Sequence, residues 1–363
     1  MKLTKTAALL ALAAAAAAAA GCGAAAGGDK AGGPAGVQVV LRMASTPFGL
    51  ADVPPVADFA RRVRALSGGS IQVKVINEWG AYAPGAEAQV VRAVAAGTVD
   101  LGWAGSRVFD TIGVPGFRAL SAPMLIDSYP LEKAVLRTAI PGQMLAGLGS
   151  VHVTGLGVLG DVLRRPVSAR RPLLAPADWR GVSFGTYRSG IQEQAIRALG
   201  ATPVVAFGPH RDHDLATGQI QGFELDVQRY ARFGEAASAP YVTANVVLWP
   251  QFDVLFANPA RLASLTAQQR TWLQQAAEAA TRDSVRLTSD DATSIGQACA
   301  LGARFVNASP ADLAALRRSL PVVYQHLDSN PETRTFIQQI QRLKMSTPAG
   351  PAPHIPARCT RKR

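Results

Sequence analysis

The sequence is poor in the residue types that most often carry covalent chemistry and bind metals. Of its 363 residues, three are cysteine and five are histidine, and aromatic residues make up 6%. It has neither a Gly-rich phosphate loop of the Walker type nor a serine nucleophile with histidine and acid partners. Repeats at the spacing of solenoid proteins are also lacking. These absences argue against a nucleotide hydrolase, a Ser-His-Asp hydrolase and a repeat protein, and we expect no cofactor.

Acidic residues are scarce relative to basic ones. The chain has 25 Asp and Glu against 37 Lys and Arg, which gives a formal net charge of +12. No basic helix with interleaved aromatic residues is present, so we expect no nucleic acid partner. Two explanations of the basic excess stay open. It can serve an anionic ligand or an anionic envelope surface, or it can be a solvated exterior to which the tail contributes Arg358, Arg361, Lys362 and Arg363.

The longest apolar run lies at the start of the chain. Two lysines precede an apolar run over residues 7–20, and Gly21 and Cys22 follow it. This pattern predicts a lipoprotein signal peptide over residues 1–21. The residues ending at Cys22 resemble a bacterial lipobox, in which cleavage leaves this cysteine as the acylated first residue. A transmembrane anchor and a signal peptide without lipidation remain alternatives, although the run is short and alanine is weakly hydrophobic.

The segment after the lipobox is rich in glycine and alanine. This composition predicts a flexible tether over residues 22–36. Together with the signal peptide, it predicts an extracytoplasmic protein, in the periplasm or at the cell surface, that is attached to the membrane through a lipid on Cys22.

The middle of the chain alternates short strands with helices. Residues 182–184 read as a strand, 189–199 as a helix, 200–205 as a turn and strand, 212–217 as a short helix and 219–224 as a strand. This order predicts an α/β fold with a parallel sheet and crossover helices. In such sheets ligands bind at the carboxyl ends of the strands.

Four features of this region form one pattern: Arg165, 176–181 (PADWRG), 199–203 (LGATP) and 218–224 (GQIQGFE). This pattern resembles one known family, the solute-binding proteins of tripartite ATP-independent periplasmic (TRAP) transporters, DctP type. Two positions depart from the family pattern. Gly185 stands where the family has an arginine that clamps the ligand carboxylate, and Gln221 stands where it has an aspartate. The ligand class is therefore left open.

The resemblance implies a two-lobe, periplasmic-binding-protein type II-like (Venus-flytrap) fold with a central cleft and long C-terminal helices. We expect lobe I to comprise residues 37–158 and 246–285, and lobe II with the C-terminal helices to comprise 159–245 and 286–346. Residues 347–363, which contain four prolines, are expected to form a loose basic tail. The implied function is capture of a small molecule, an organic anion, and its delivery to the membrane permease subunits of a TRAP transporter.

Two arginines are the first candidates for ligand binding. The resemblance implies that Arg165 contacts the ligand, and the planar guanidinium fork suits a carboxylate. Arg188 lies three residues after Gly185 and could replace the lost clamp. The alternative for both is a place on a solvated basic surface.

Further candidates surround these arginines in the sequence. Glu224 matches a family glutamate that braces the cleft loops, with direct ligand contact as the alternative. Aromatic residues at strand ends would suit a ligand with an apolar body, although such residues are more often core. The aromatic candidates are Trp79, Trp103, Tyr187 and Phe223, and Ser45 and Ser106 are candidates for small hydrogen bonds from lobe I.

The remaining cysteines and histidines carry weaker signals. Cys299 and Cys359 could form a disulfide in an oxidising compartment, but sequence alone cannot test their geometry. His210 and His213, with aspartates between and after them, could hold a metal, but a solvated turn is the favoured interpretation, and we expect no metal site.

Other functions on the same fold stay open. A ligand-sensing lipoprotein would have the same cleft, and a structural lipoprotein without a ligand is consistent with Gly185 and Gln221. An enzyme is the least favoured alternative, because no catalytic constellation stands out.

Overall fold

The fold is built on one mixed sheet, which contains ten strands within residues 38–360, the part of the chain that the computed structural model describes. The strands are β1 (Val39–Ala44), β2 (Ile71–Ile76), β3 (Leu101–Gly105), β4 (Thr154–Ser168), β5 (Ser183–Thr186), β6 (Thr202–Val205), β7 (Gly222–Leu225), β8 (Tyr241–Thr243), β9 (Trp249–Ala257) and β10 (Arg304–Val306). The predicted signal peptide, the predicted tether and Cys22 lie outside the described residues, and so do Arg361, Lys362 and Arg363.

Helices flank the sheet. They are α1 (Pro54–Leu66), α2 (Ala86–Ala95), α3 (Val108–Thr111), α4 (Tyr129–Leu136), α5 (Ile140–Ala146), α6 (Pro176–Trp179), α7 (Gly190–Leu199), α8 (Pro209–Ala216), α9 (Val227–Phe233), α10 (Pro259–Ala263), α11 (Ala267–Thr288), α12 (Asp291–Ala300), α13 (Pro310–Arg318), α14 (Pro321–Asp328), α15 (Pro331–Ser346) and α16 (Ala357–Thr360). Within residues 38–360, none of them has the length and apolar character that a membrane span needs.

The strand order places two long antiparallel strands in the middle of the sheet. The order is β2-β1-β3-β9-β4-β7-β5-β6, with β8 paired to both β4 and β10. β4 pairs with β9 from Thr154 to Arg164 and with β7 from Arg165 onward. The parallel pairs β1–β2 and β1–β3 lie on one side, and β5–β6 and β5–β7 lie on the other. β4 and β9 therefore join two groups of strands, as expected for chain crossings between two lobes.

Local signals in the sequence account for several helix ends. The side chain of Ser189 accepts a hydrogen bond from the Gln192 amide at the start of α7, and Gly200 ends this helix with a positive φ of 108°. Thr266 and Gln269 form a capping box at the start of α11. The first cap confirms the helix predicted over 189–199, and the second agrees with the capping-box pattern of Thr266 and Gln269 in the sequence.

Burial explains the central place of β9 and the packing of α11. All nine residues of β9 are buried, which fits a strand covered on both faces. Leu273, Ala277 and Ala280 of α11 pack in the same apolar cluster as Leu159 of β4 and Phe59 of α1. The small alanine side chains let the longest helix lie close to the sheet.

Two features differ from the lobe prediction at the C-terminus. α15 packs against the segment of residues 115–127, which was assigned to the other lobe: Thr333 Oγ1 donates to the Pro115 carbonyl at 2.8 Å, and Lys344 Nζ lies 2.6 Å from Asp127 Oδ2. The tail is also attached over part of its length. A disulfide joins Cys299 to Cys359 with a Cα–Cα distance of 5.1 Å, and Arg358 donates to the Gly296 carbonyl.

Candidate functional site

A cavity of about 450 Å³ lies where the two groups of strands meet. This volume is in the range of small-molecule sites. Its wall is drawn from both parts of the sheet, including Trp103 of β3, Arg164 of β4 and Tyr187 after β5. Aromatic rings and arginines dominate the wall: Phe48, Tyr82, Trp103, Tyr187, Phe207 and Phe233, and Arg107, Arg164, Arg211 and Arg229.

Arg164 is the arginine of the wall with the most unused hydrogen-bonding capacity. It is 2% exposed, and its Nη2 donates to Gln251 Oε1. Its Nη1 lies 3.8 Å from Asp226 Oδ2, which is too far for a hydrogen bond. Nε and Nη1 are buried without an acceptor. Because unpaired buried donors cost free energy, these groups favour any ligand oxygen that reaches them.

Arg107 reaches the same place from the other group of strands. It follows β3, and its guanidinium carbon lies 3.8 Å from the centre of the Tyr187 ring, which is a cation–π contact. Its Nη2 lies 2.6 Å from Glu87 Oε2, and Glu87 also accepts from the Gly105 amide at 3.0 Å. Arg107 Nε is buried without an acceptor. Since Arg164 lies 5.2 Å from the same ring, both guanidinium groups lie against Tyr187.

The other two arginines of the wall are paired with carboxylates. Arg229 lies 2.9 Å from Asp161 Oδ2 and 3.0 Å from Asp226 Oδ2, and it also donates to the Asp52 carbonyl at 2.6 Å. Arg211 pairs with Glu235 and, at 2.6 Å, with Asp212. These pairs fix the two side chains in the wall and neutralise them.

Buried acids lie behind Arg164 and Arg229. Burial opposes ionisation of Asp226, but Arg229 and Arg164 lower its pKa below the usual value. For Asp161 burial prevails over Arg229, and its pKa is raised. Burial and repulsion from Asp161 raise the pKa of Asp253 to about 8. Burial also raises the pKa of Glu132 well above its usual value, with Asp161 adding to the effect.

Comparison with known proteins decides the family. The family model described as bacterial extracellular solute-binding protein, family 7 (DctP), matches residues 53–330. The chain belongs to this family. The resemblance to TRAP solute-binding proteins drawn from the sequence is thereby confirmed, and the family is one of transport, located outside the cytoplasm.

Solved structures share the fold of this DctP-family chain. A TRAP periplasmic solute-binding protein from Chromohalobacter salexigens with bound D-glucuronate aligns with a TM-score of 0.75 and 19% identity, over 84% of this chain and 99% of that one. Another, from Ralstonia eutropha with bound (S)-2-acetolactate, aligns with a TM-score of 0.76 and 19% identity, over 85% and 99%. These alignments confirm the predicted two-lobe, periplasmic-binding-protein type II-like fold.

A curated relative matches over a shorter stretch. The C4-dicarboxylate-binding periplasmic protein DctP of Rhodobacter capsulatus is 28% identical over 116 residues, which is 32% of this chain and 34% of that protein. The match spans about a third of the relative's length.

Arg165, the first candidate of the DctP resemblance, is outside the cavity wall. It is 3% exposed, and its guanidinium donates to the carbonyls of Ala244 at 2.7 Å and Leu163 at 3.1 Å and lies 2.5 Å from Asp291 Oδ2. Neighbouring residues of a strand point to opposite faces, so Arg164 faces the cavity when Arg165 does not. Of these two neighbouring arginines, the one that lines the cavity is therefore Arg164.

Arg188 and Gly185 also lie outside the wall. Arg188 is exposed and is not among the residues that line the cavity. A Cβ added at Gly185 would meet Ile220 Cδ1 at 3.0 Å and Phe223 Cβ at 3.3 Å. The position is packed against β7 and its preceding turn, which accounts for glycine here.

Glu224 braces the site from behind the wall. Its carboxylate accepts from Thr186 Oγ1 at 2.6 Å, from Trp249 Nε1 at 2.5 Å and from the Tyr187 amide at 3.4 Å. These bonds connect β7, β5 and β9 at the point where Tyr187 enters the cavity. The structure thus places Glu224 in the bracing arrangement rather than in contact with the cavity.

The other predicted residues divide between wall and core. Trp103 and Tyr187 line the cavity. Ser45 is fully buried and accepts from Trp103 Nε1 at 3.1 Å, so it orients that ring. Phe223 lies beneath Arg211, with 4.6 Å between the guanidinium carbon and the ring centre. The residues that do not line the wall are Trp79, Ser106, Phe223 and Ser45.

None of the four arginines of the wall was predicted from the sequence: Arg164 is the neighbour of the candidate Arg165, and the other three are Arg107, Arg211 and Arg229. Arg107 is the residue after the candidate Ser106 and follows the end of β3, so its place at a strand end was an available signal. Arg211 lies between His210 and Asp212, in the segment weighed as a metal site, where both histidines are exposed. Within residues 38–360 no group of three or more His, Cys, Asp or Glu side chains is arranged to hold a metal ion. For Arg229 we find no signal in the sequence.

Proposed function

We propose that this protein captures a small organic anion in the cavity, outside the cytoplasm, and delivers it to the permease subunits of a TRAP-type transporter. The observation that carries the proposal is Arg164, a buried arginine of the wall with two N–H groups that lack an acceptor. A ligand carboxylate would supply the missing acceptors and the opposite charge. Solved relatives of the same fold carry D-glucuronate and (S)-2-acetolactate.

Binding would favour closure of the two lobes around the ligand. Arg107 follows β3 in the first group of strands, Arg164 lies on β4, which joins the two groups, and both contact the ring of Tyr187, which follows β5 in the second group. A ligand bonded to both would therefore stabilise the closed form, which the permease would recognise. We keep the predicted lobes, 37–158 with 246–285 and 159–245 with 286–346, with one change. From its contacts with residues 115–127 we infer that α15 (Pro331–Ser346) moves with the first lobe. No covalent step is part of this function, and we expect no turnover of hydrolase substrates.

The site of attachment is proposed from the sequence. The lipobox-like residues ending at Cys22 support lipidation of this cysteine and a membrane-anchored protein. A glycine- and alanine-rich tether over residues 22–36 would then separate the lipid from the folded body. Labelling with a radioactive or clickable fatty acid tests this directly, since Cys22→Ser should abolish incorporation.

Substitution of Arg164 tests the proposed function. Calorimetry or thermal shift against organic acids should identify a ligand for the unchanged protein, and Arg164→Ala should weaken its binding by about 2–5 kcal/mol, because the carboxylate loses its buried partner. Arg188→Ala is the matched control, since Arg188 is an exposed arginine outside the wall, and its affinity should match that of the unchanged protein. Equal affinity of Arg164→Ala and Arg188→Ala would contradict the assignment. Failure of every acid to bind would contradict the function.

A further inference from the structure

The charge of the cavity wall limits the charge of its ligand. Arg107, Arg211 and Arg229 each have a carboxylate oxygen within 3.0 Å. Within residues 38–360, Arg164 is the one arginine of the wall without a carboxylate at hydrogen-bond distance, and its nearest, Asp226, already bonds to Arg229. The wall therefore offers one cation that lacks a close partner. A second negative charge on a ligand would lie in a desolvated site without a free cation, at considerable cost.

The donors without an acceptor fit one carboxylate. They are Nε and Nη1 of Arg164 and Nε of Arg107, on two guanidinium groups that lie against the same Tyr187 ring. A carboxylate has two oxygens with lone pairs in its plane and can accept from two arginines at once. One carboxylate can thus accept hydrogen bonds from both side chains. Arg107 would then make the second contact with the ligand carboxylate, which in the family comes from an arginine at the position of Gly185.

The rest of the wall is suited to an apolar body. Tyr187 and Phe207 stack with ring centres 5.1 Å apart, and Phe48 and Tyr82 lie 6.0 Å apart. Phe48 and Phe233, both in the wall, are 67% and 51% exposed, which is unusual for large apolar side chains. Exposed aromatic rings next to a cavity indicate a binding surface for apolar groups.

Apart from the hydroxyl groups of Thr46, Tyr82, Tyr187 and Ser238, the uncharged polar side chains of the wall are few. Both groups of the Gln251 side-chain amide are already hydrogen-bonded: its oxygen accepts from Arg164, and its nitrogen donates to Asp253 at 3.1 Å. The carboxylates of the wall are each paired with an arginine: Glu87, Asp52, Asp212 and Glu235. A polyhydroxylated acid would place several hydroxyls against aromatic rings without partners, which disfavours it.

From this charge and lining we propose that the ligand is a monocarboxylate with an aromatic or alicyclic body, rather than a dicarboxylate or a sugar acid. Its carboxylate lies between Arg164 and Arg107, and its ring lies among Phe48, Tyr82 and Phe207. This inference rests on the proposed function, because it narrows the class of anion that the same cavity takes.

Matched pairs of acids test the ligand class. Isothermal titration should show that 4-methylbenzoate binds about tenfold or more tightly than terephthalate, which has the same ring and a second carboxylate. Cyclohexanecarboxylate should likewise bind more tightly than glucuronate, which adds ring hydroxyls and a ring oxygen. Tighter or equal binding of terephthalate or glucuronate would overturn the inference while leaving the proposed function intact. If no acid binds, both are overturned.

A substitution at the exposed edge of the wall tests the place of the apolar body. Phe48→Ala should weaken binding of 4-methylbenzoate about threefold to tenfold, because an aromatic contact is lost. Val322→Ala is the control, since Val322 is 61% exposed on α14 and does not line the cavity. Because Phe48 is exposed, its loss should leave the melting temperature of the free protein unchanged. Unaltered affinity of Phe48→Ala would place the body elsewhere and contradict the inference.

Discussion

Arg164 and Arg165 show how one step along a strand decides the role of a side chain. Both are buried arginines of β4, but Arg165 is bonded to Asp291 and two carbonyls, while Arg164 lines the cavity with unused donors. Sequence could place an arginine at this point in the strand. It could not decide which of the two faces the ligand, since β4 has an irregular register between Gly160 and Leu163 that shifts the alternation of faces.

The other residues of the cavity wall show which site residues can be predicted from sequence and which cannot. Tyr187 and Trp103 were predicted because the sequence places them near strand ends, and the ends of neighbouring strands meet in an α/β sheet. Arg229 was not, because it comes from a helix whose position depends on tertiary packing. Charge pairing such as that of Arg229 with Asp161, 68 residues away, has no local pattern.

Asp253 gives a prediction about pH. Its folded-state pKa of about 8 is above the usual value of 3.8, so between these values the folded protein holds a proton that the unfolded chain has released. Protonated Asp253 thus contributes to the free energy of unfolding at low pH. This contribution is lost as the pH rises toward 8, by at most about 1.4 kcal/mol per pH unit. Asp253→Asn should remove this slope.

Denaturant unfolding at pH 5, 6, 7 and 8 measures that slope. The difference in unfolding free energy between Asp253→Asn and the unchanged protein should grow in favour of the variant with rising pH. Asp328→Asn, at a half-buried position on α14, serves as the control and should show no such trend. A constant difference across the range would show that Asp253 does not ionise in this window.

At the level of elements, the strands and helix starts were the most predictable features. Ser189, Gly200 and Thr266 mark helix ends through local hydrogen bonds, and these signals depend on few residues. From the sequence alone, residues 131–148 read as one long helix, but the structure divides them into α4 and α5. Thr138 Oγ1 accepts from the Ile140 amide, and Pro141 lies in the first turn of the second helix. The apolar residues keep their helical spacing across the boundary between α4 and α5, so their periodicity does not show that the helix ends there.

The attachment of the tail at α16 leads to a further prediction. The disulfide between Cys299 and Cys359 closes a loop with a sequence separation of 60 and restricts the unfolded chain. By the chain-entropy relation, its loss should cost about 4 kcal/mol of stability. Thermal unfolding with and without reductant should show the loss in the unchanged protein, and Cys299→Ser/Cys359→Ser should be less stable and insensitive to reductant. Equal melting temperatures in all cases would contradict a structural role.

At the scale of the whole molecule, the two long strands explain how distant segments form one site. β4 and β9 pair along their length and connect both groups of strands, so residues as far apart in sequence as Phe48 and Gln251 line the same cavity. The family resemblance anticipated this architecture, because its motifs lie at the strand ends that build the second lobe. It did not anticipate α15 packing on residues 115–127, since no motif extends to that helix.

The central claim is that Arg164 holds the carboxylate of a diffusible ligand in this cavity. A crystal structure with the tightest-binding acid tests it most directly. We expect a carboxylate oxygen within hydrogen-bond distance of Arg164 Nε or Nη1, a second near Arg107, and Arg165 still bonded to Asp291. A ligand held by Arg165 or Arg188, or one bound outside the cavity, would contradict the account.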